Sequence, residues 1–242
     1  MNKKKVALVL GGSGGIGSEI VRLMSDNDIN VCSVDLNQQH QNILKNKKVS
    51  FYKTDLTSQT SIDDSLNEII KNHKTIDMVV FSASAPIKNK PFFKMEWNDF
   101  DEHINIQIKS LFHVIQNLKN QIKNKHKIKF IIILTEYCIG NPPSGTSHYI
   151  TAKYSLMGFA KCMATELTKY NCTVNMVSPG MVETNLLSNL PPKLVEITAE
   201  RNPLKRLAKP IDVANVVLFL SKDESNYLNG VNICVNGGGV IL

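Results

Sequence analysis

The residues best suited to acid–base chemistry are Tyr149 and Lys153, which stand four positions apart. Side chains at this spacing share one face of a helix. A free phenol has a pKa of about 10, so a tyrosine needs a nearby positive charge to exchange a proton at neutral pH. The lysine ammonium, one turn away, would supply that charge. Such a centre often has a hydroxyl partner just upstream, where this chain carries Thr135 and then Glu136.

A glycine-rich run between an apolar stretch and a helical stretch predicts a phosphate-binding loop. The stretch 6–10 is a fully apolar strand, and glycines recur in the run GGSGGIG before a helix predicted at 15–25. Glycines let the backbone approach a pyrophosphate, and the helix N-terminus supplies N–H donors and a positive dipole. The candidate cofactor contacts in this loop are Gly11, Ser13, Gly14, Gly15, Ile16 and Gly17.

The end of the second predicted strand carries Asp35, followed by Leu36. A carboxylate at this place can accept hydrogen bonds from the adenosine ribose hydroxyls, and it would repel a 2′-phosphate. Leu36 stands where an NADP enzyme would carry an arginine. The sequence therefore favours NAD as the cofactor, with NADP as the less favoured choice.

Short apolar strands alternate with longer amphipathic helices along the whole chain, with no linker or internal repeat between them. Strands are predicted at 6–10, 31–34, 49–53, 78–81, 130–134, 173–177 and 231–235, and helices at 15–25, 61–71, 97–121, 148–170 and 211–220. This pattern is typical of a parallel sheet covered on both faces. We predict a single α/β domain over residues 1–242, a doubly wound Rossmann-type sheet with helices on both faces. The irregular region around 181–209 is the predicted substrate lid.

The composition argues against several other classes of protein. The formal charge is +7, but the lysines are spread along the chain, so we expect no nucleic-acid partner. The five cysteines are scattered singly, so we expect no metal site. No apolar run is long enough to span a membrane, and the N-terminal segment lacks a signal-peptide pattern. We therefore expect a cytoplasmic protein without a membrane partner.

The glycine run, Asp35 and the pair Tyr149-x-x-x-Lys153 together resemble the short-chain dehydrogenase/reductase family. The resemblance is to the compact branch that includes 3-oxoacyl-[acyl-carrier-protein] reductases and many alcohol and sugar dehydrogenases, and it runs nearly end to end. It implies a cofactor-binding role for an adenine-side pair, for one residue after the fourth strand and for a nicotinamide-side P-G-x-x-x-T segment. The corresponding residues are Asp55, Leu56, Ala83, Pro179, Gly180, Val182 and Thr184.

The resemblance also assigns the roles of the acid–base residues. Tyr149 would exchange a proton with the substrate oxygen while hydride passes to or from the nicotinamide. Lys153 would supply positive charge and bind the cofactor ribose. The family's helix asparagine, which helps to hold a proton-relay water, falls on Gln107 here, and its catalytic serine falls on Glu136. Gln107 keeps an amide that could bind water, whereas Glu136 replaces a hydroxyl with a carboxylate.

Three hypotheses for Glu136 stay open at this point. A protonated Glu136 would donate the missing hydrogen bond. An ionised Glu136 would hold the substrate or act as a base in an added step, and Thr135 could then stand in for the serine if the strand end is displaced by one residue. Alternatively, Glu136 marks lost catalysis. We favour the ionised, substrate-directed role.

The leading functional hypothesis is an NAD(H)-dependent oxidoreductase that interconverts a secondary alcohol and a ketone on a small metabolite. The alternatives are a nicotinamide-binding protein with little or no redox turnover, and an NAD-assisted lyase or isomerase that uses Glu136. The helices predicted at 97–121 and 148–170 carry apolar residues on more than one face. Together with the family resemblance, this predicts a homodimer or homotetramer.

Overall fold

Within residues 4–38, 46–184, 187 and 190–241, which the computed structural model describes, seven parallel strands form one sheet in the order β3-β2-β1-β4-β5-β6-β7. The strands are β1 (Val6–Leu10), β2 (Asn30–Asp35), β3 (Val49–Lys53), β4 (Met78–Phe81), β5 (Lys129–Ile133), β6 (Thr173–Pro179) and β7 (Asn232–Val235). The order reverses direction between β1 and β4, as in doubly wound folds. The predicted single Rossmann-type domain is confirmed.

Helices connect the strands and cover both faces of the sheet. They are α1 (Gly15–Asp26), α2 (Gln59–His73), α3 (Trp97–Ile104), α4 (Ser110–Lys123), α5 (Ser147–Leu167), α6 (Pro192–Arg201) and α7 (Pro210–Ser221). Helices α1 and α7 pack on one face, and α2, α4 and α5 pack on the other.

The apolar strands are buried because each one contributes side chains to two hydrophobic cores. Alternate side chains of a strand point to opposite faces of the sheet. In β1, Leu8 and Leu10 join the core beneath α2, α4 and α5, whereas Ala7 and Val9 join the core beneath α1 and α7. All five residues of β1 are buried. A continuous apolar run is therefore the pattern that this sheet requires.

The prediction of one uninterrupted helix over 97–121 is wrong in its middle. Helix α3 ends at Ile104, and a π-helical turn (Asn105–Lys109) separates it from α4. In that turn the N–H of Ser110 donates to the carbonyl of Asn105, five residues back, while the Ser110 hydroxyl donates to the carbonyl of Ile106. The wider turn places Gln107 in the protein interior. Turns of this kind often occur at functional sites.

The predicted lid region contains one helix that the sequence analysis did not identify, α6 (Pro192–Arg201). The two ends of the region are held together by a parallel bridge between Val182 and Ala208. Residues 185, 186, 188 and 189 of this region lie outside the described part of the chain.

The candidate site residues meet at one edge of the sheet because the strands are parallel. Gly11 follows β1, Asp35 ends β2, Asp55 lies just beyond β3, Ala83 lies just beyond β4, and Thr135 lies just beyond β5. In doubly wound sheets the carboxyl ends of the strands form the ligand-binding crevice. Among the described residues, no helix is long and apolar enough to cross a bilayer.

Candidate active site

Two glycines let the loop after β1 pack closely against its surroundings. Gly11 adopts a φ of +77°, and its N–H donates to the carbonyl of Val34 over 2.9 Å. A Cβ atom added at Gly11 would lie 2.7 Å from the nitrogen of Ala83, and one added at Gly17 would lie 2.0 Å from the carbonyl oxygen of Gly11. Both distances are shorter than any van der Waals contact. Side chains at these positions would force the loop apart.

The N-terminus of α1 is suited to an anion. Its N-cap residue is Gly14, which offers no side-chain cap. The helix begins with a bond from the N–H of Ser18 to the carbonyl of Gly14, so the N–H groups of Gly15, Ile16 and Gly17 precede the first helical bond. Free N–H groups and the positive end of the helix dipole match the pyrophosphate of a dinucleotide. The residues present therefore fit a nicotinamide dinucleotide.

The carboxylate of Asp35 is held in place by two backbone groups. One oxygen accepts the N–H of Ser13 over 2.9 Å, and the other accepts the N–H of Leu36 over 2.8 Å. Each carboxylate oxygen keeps a further lone pair for a hydroxyl donor. The Leu36 side chain is half exposed and carries no positive charge that would attract a phosphate.

The adenine-side candidates lie along the same edge of the sheet. One oxygen of Asp55 accepts both the N–H and the hydroxyl of Thr57, over 2.8 and 2.7 Å. Leu56 packs against the hydrophobic core, and Ala83 is buried against the glycine loop. The turn that carries Asp55 is therefore fixed before any ligand binds.

The nicotinamide-side segment lies against the glycine loop. Pro179 ends β6, and the N–H of Gly180 donates to the carbonyl of Val235 over 3.0 Å. Val182 is buried in the bridge to Ala208. The methyl group of Thr184 would lie only 2.5 Å from a Cβ atom added at Gly15. The structure thus brings the two predicted halves of the cofactor site into contact.

The acid–base centre forms where α5 passes the end of β5. The ammonium group of Lys153 donates to the carbonyl of Ile133 over 2.8 Å and lies 5.8 Å from the centroid of the Tyr149 ring. The side chain of Thr135 lies close enough to the phenol of Tyr149 to lower the pKa of that phenol. The oxygen of Thr135 also accepts the N–H of Tyr137, so its hydroxyl hydrogen is available to Tyr149.

Burial changes the proton affinities of both members of this centre. It raises the pKa of Tyr149, and the hydrogen bond from Thr135 partly opposes that effect. Burial also lowers the pKa of Lys153 to about 8, because a buried ammonium loses its hydration. Lys153 is only 3% exposed and still carries its charge at pH 7.

Glu136 is directed toward the C-terminal turn of the chain. A Cβ atom added at Gly180 would lie 3.2 Å from one carboxylate oxygen, and one added at Gly239 would lie 3.1 Å from the other. Burial raises the pKa of Glu136, and a hydrogen bond with Asn236 opposes this. The carboxylate borders a cavity of about 380 Å³ whose wall also includes Met181, Asn202 and Cys234. The side chains of Thr135 and Glu136 therefore lie in different parts of the site.

Gln107 lies in the π-helical turn and is fully buried. Its amide nitrogen is 3.3 Å from Nδ1 of His103, and the His103 ring lies 4.9 Å from the ring of His148 and 5.8 Å from that of Tyr149. The sequence analysis did not single out these two histidines. Their positions in the sequence could have indicated them, because His103 precedes Gln107 by one helical turn and His148 directly precedes Tyr149.

Comparison with known proteins identifies the family of this chain. The family model described as "Enoyl-(Acyl carrier protein) reductase" matches residues 11–239. The 3-oxoacyl-[acyl-carrier-protein] reductase FabG of Buchnera aphidicola subsp. Baizongia pistaciae is 32% identical over 241 residues, which cover 97% of each chain. The chain therefore belongs to the short-chain dehydrogenase/reductase family. It is an oxidoreductase with a nucleotide-binding Rossmann-type fold.

Solved structures share the fold over the full length of the chain. A 3-ketoacyl-(acyl-carrier-protein) reductase from Brucella melitensis, complexed with NADH, aligns with a TM-score of 0.90 at 20% identity and covers 100% of both chains. ElxO with NADP bound aligns with a TM-score of 0.88 at 23% identity and covers 98% of both chains. At these identities the likeness shows the fold alone.

The packing at Gly17 yields the first prediction. Gly17→Ala should weaken NADH binding by about tenfold or more, because the added methyl group displaces the N–H groups that face the phosphates. Gly158→Ala is the matched control, since a Cβ there meets no atom within 4 Å and α5 should gain about 0.5–1 kcal/mol of stability. Fluorescence titration with NADH and thermal unfolding measure both effects. Unchanged NADH affinity in Gly17→Ala would contradict the assignment of the loop.

Proposed function

We propose that this protein is an NAD(H)-dependent oxidoreductase that interconverts a secondary alcohol and a ketone on a small-molecule substrate. The observation that supports the proposal most is the triad of Thr135, Tyr149 and Lys153. The hydroxyl of Thr135 lowers the pKa of the phenol, and the buried ammonium of Lys153 lies 5.8 Å from the centroid of the Tyr149 ring. This is the arrangement that proton transfer to a forming alkoxide requires.

Each residue of the centre has a distinct task in ketone reduction. Tyr149 donates its proton to the substrate oxygen, and Thr135 stabilises the resulting phenolate through its hydroxyl. Lys153 stabilises the same negative charge, while the carbonyl of Ile133 fixes its ammonium. A nicotinamide, when bound, would supply the hydride. Gln107 provides a buried amide that would bind a relay water.

The interaction between Thr135 and Tyr149 supports an enzyme over a binding protein without turnover. The serine position of the family carries Glu136, and this change was the main argument for lost catalysis. With Thr135 in the hydroxyl role, that argument loses its force. We assign Glu136 to substrate binding, because its carboxylate borders the cavity of about 380 Å³.

The substrate to test first is a 3-oxoacyl thioester. The name of the 32% identical relative refers to reduction of such a thioester on acyl carrier protein. Acetoacetyl-CoA presents the same 3-oxo thioester on a soluble small molecule. It is therefore the probe that we use in the experiments below.

We also propose that the protein is a cytoplasmic homodimer or homotetramer. Phe112 on α4 and Tyr154 on α5 expose large apolar side chains to solvent in the single chain. Such residues on two helices that cover the same face of the sheet are suited to association about a two-fold axis. No nucleic-acid or membrane partner is part of this proposal.

The preference for NAD over NADP depends on Asp35. NADH should bind more tightly than NADPH, because the fixed carboxylate accepts ribose hydroxyls and repels a 2′-phosphate. Asp35→Ser should narrow the difference by about tenfold or more, since it removes one close like-charge repulsion. Parallel fluorescence titrations with both cofactors measure the ratio. Equal or tighter NADPH binding by the unmodified protein would overturn this preference.

The lowered pKa of Lys153 predicts the pH profile of reduction. The ammonium is present below a pKa of about 8 and is lost as the pH rises through that value. Without it, phenolate formation at Tyr149 becomes harder. The value of kcat/KM for acetoacetyl-CoA reduction should therefore fall on the alkaline side of about pH 8. Initial rates between pH 6 and 10 provide the test, and a flat profile would contradict the role of Lys153.

Single substitutions separate the roles of the three site residues. Tyr149→Phe should abolish turnover and leave NADH binding nearly intact. Thr135→Val should lower kcat by about tenfold or more, because the phenolate loses its hydroxyl donor. Glu136→Gln should raise KM with kcat nearly unchanged, as expected for a residue that binds the substrate only. Steady-state kinetics with acetoacetyl-CoA and NADH measure all three.

The same experiment distinguishes the alternatives. A wild-type rate in Thr135→Val would remove Thr135 from the mechanism. Loss of kcat in Glu136→Gln would make Glu136 the acid–base residue of a lyase, an isomerase or an added enolisation step. Turnover that survives in Tyr149→Phe would overturn the proposed function as a whole.

A further inference from the structure

Three buried polar side chains form a cluster behind Tyr149. Gln107 is 0% exposed, His103 is 1% exposed and His148 is 2% exposed. The rings of His103 and His148 meet edge to face, with centroids 4.9 Å apart, and the His103 ring also meets the Tyr149 ring edge to face. Apolar residues would fill such a volume at lower cost, because burying polar groups requires partners for them. The cluster therefore calls for a functional explanation.

The contact between His103 and Gln107 fixes one orientation of the amide. The amide nitrogen of Gln107 lies 3.3 Å from Nδ1 of His103. An amide N–H can donate only to an unprotonated ring nitrogen, so this contact requires the proton of the neutral ring to be on Nε2. Burial lowers the pKa of His103 to about 4, so the ring stays neutral at physiological pH. Nδ1 is then a permanent acceptor for Gln107.

The charged groups near the rings of His103 and His148 do not make either ring cationic at neutral pH. The charged or titratable side chains that act on His103 and His148 are Lys88, Lys90, Asp99, Glu102 and Lys153. Asp99 is itself paired with Lys90 over 2.7 Å. The pKa of His148 is also lowered, first of all by burial. Both rings are therefore uncharged around neutral pH.

The other end of the amide has no protein partner among the described residues. The oxygen Oε1 of Gln107 and the ring nitrogen Nδ1 of His148 are buried and have no hydrogen-bond partner there. A buried acceptor without a partner costs about 1–3 kcal/mol, and ordered water is the usual partner where protein groups are missing. The π-helical turn packs against α5, which carries Lys153. The ammonium group of Lys153 has three N–H donors, and the carbonyl of Ile133 accepts one of them.

We propose that His103 is a positioning residue of the acid–base centre. Its Nδ1 holds the amide of Gln107 in the orientation that presents Oε1 to a water shared with the ammonium of Lys153. His148 keeps the His103 ring in place by edge-to-face packing. This inference rests on the proposed function, since the water it orders serves proton transfer through Tyr149 and Lys153.

A pair of variants at position 103 isolates the acceptor. His103→Asn places an amide oxygen close to the position of Nδ1, whereas His103→Leu removes the acceptor and keeps a similar volume. His113→Leu is the control, because His113 also has a buried ring nitrogen without a partner among the described residues but lies two turns and more further along, in α4. The readouts are kcat with acetoacetyl-CoA, the solvent deuterium isotope effect on kcat, and NADH affinity.

We expect His103→Leu to lower kcat by about tenfold and to raise the solvent isotope effect, because proton relay becomes slower than the other steps. NADH affinity should change by no more than about twofold, since the contacts shown for His103 are with Gln107, His148 and Tyr149. His103→Asn should restore most of the rate, and His113→Leu should behave like the unmodified protein. A merely structural role for His103 would lower stability in both variants without changing the isotope effect.

The outcomes separate this inference from the proposed function. Full kcat in folded His103→Leu, together with an inactive Tyr149→Phe, would overturn the inference alone. Absent turnover in the unmodified protein, or full turnover in Tyr149→Phe, would overturn the proposed function and the inference with it. If His103→Leu does not fold, ¹⁵N NMR of the unmodified protein determines which ring nitrogen of His103 carries the proton. The His103 signal is assigned by its absence from the spectrum of His103→Asn. A proton on Nδ1 of His103 at neutral pH would overturn the inference.

Discussion

Because every described strand runs parallel to its neighbours, each strand must be followed by a crossover that returns the chain to the same end of the sheet. The residues that leave the strands therefore all emerge at one edge. There the glycine loop after β1 meets the turn after β4 at Ala83, and the segment after β6 meets the same loop through Thr184. A dinucleotide site needs all of these turns, and parallel pairing alone brings them together.

A second constraint is the cost of burying the charge of Lys153. The ammonium has one protein acceptor, the carbonyl of Ile133, and its low exposure reduces its proton affinity. That cost is tolerated where the charge has a task, and here it faces the ring of Tyr149. The same low-dielectric surroundings raise the pKa of the phenol, and Thr135 opposes that effect. In the proposed mechanism, Tyr149 therefore relies on Thr135 and Lys153 for proton transfer near neutral pH.

The surroundings of Glu136 and Thr135 differ although the two residues are neighbours in the chain. Glu136, which we propose to stand at the family's hydroxyl position, directs its carboxylate toward Asn236, Gly180 and Gly239. Thr135, one residue earlier, meets Tyr149 instead. The short 3₁₀ turn at Glu136–Cys138 makes this possible, because it rotates successive side chains away from the strict alternation of a strand. In this proposal, the path of the backbone brings a hydroxyl to Tyr149, although the residue at the family's serine position is Glu136.

Local patterns in the sequence determined the sheet, the glycine loop, Asp35 and the spacing of Tyr149 and Lys153, because each depends on neighbours within a few residues. The sequence missed α6, because two prolines and an irregular polar pattern mask its helical periodicity. It also missed the π-helical turn in the long helix, because one extra residue per turn leaves the apolar pattern on either side nearly unchanged. Only the tertiary structure decided that Thr135 meets Tyr149, that Glu136 turns to Asn236, and that His103 meets His148. Those contacts join segments far apart in the chain, and their orientation follows from packing that no local pattern records.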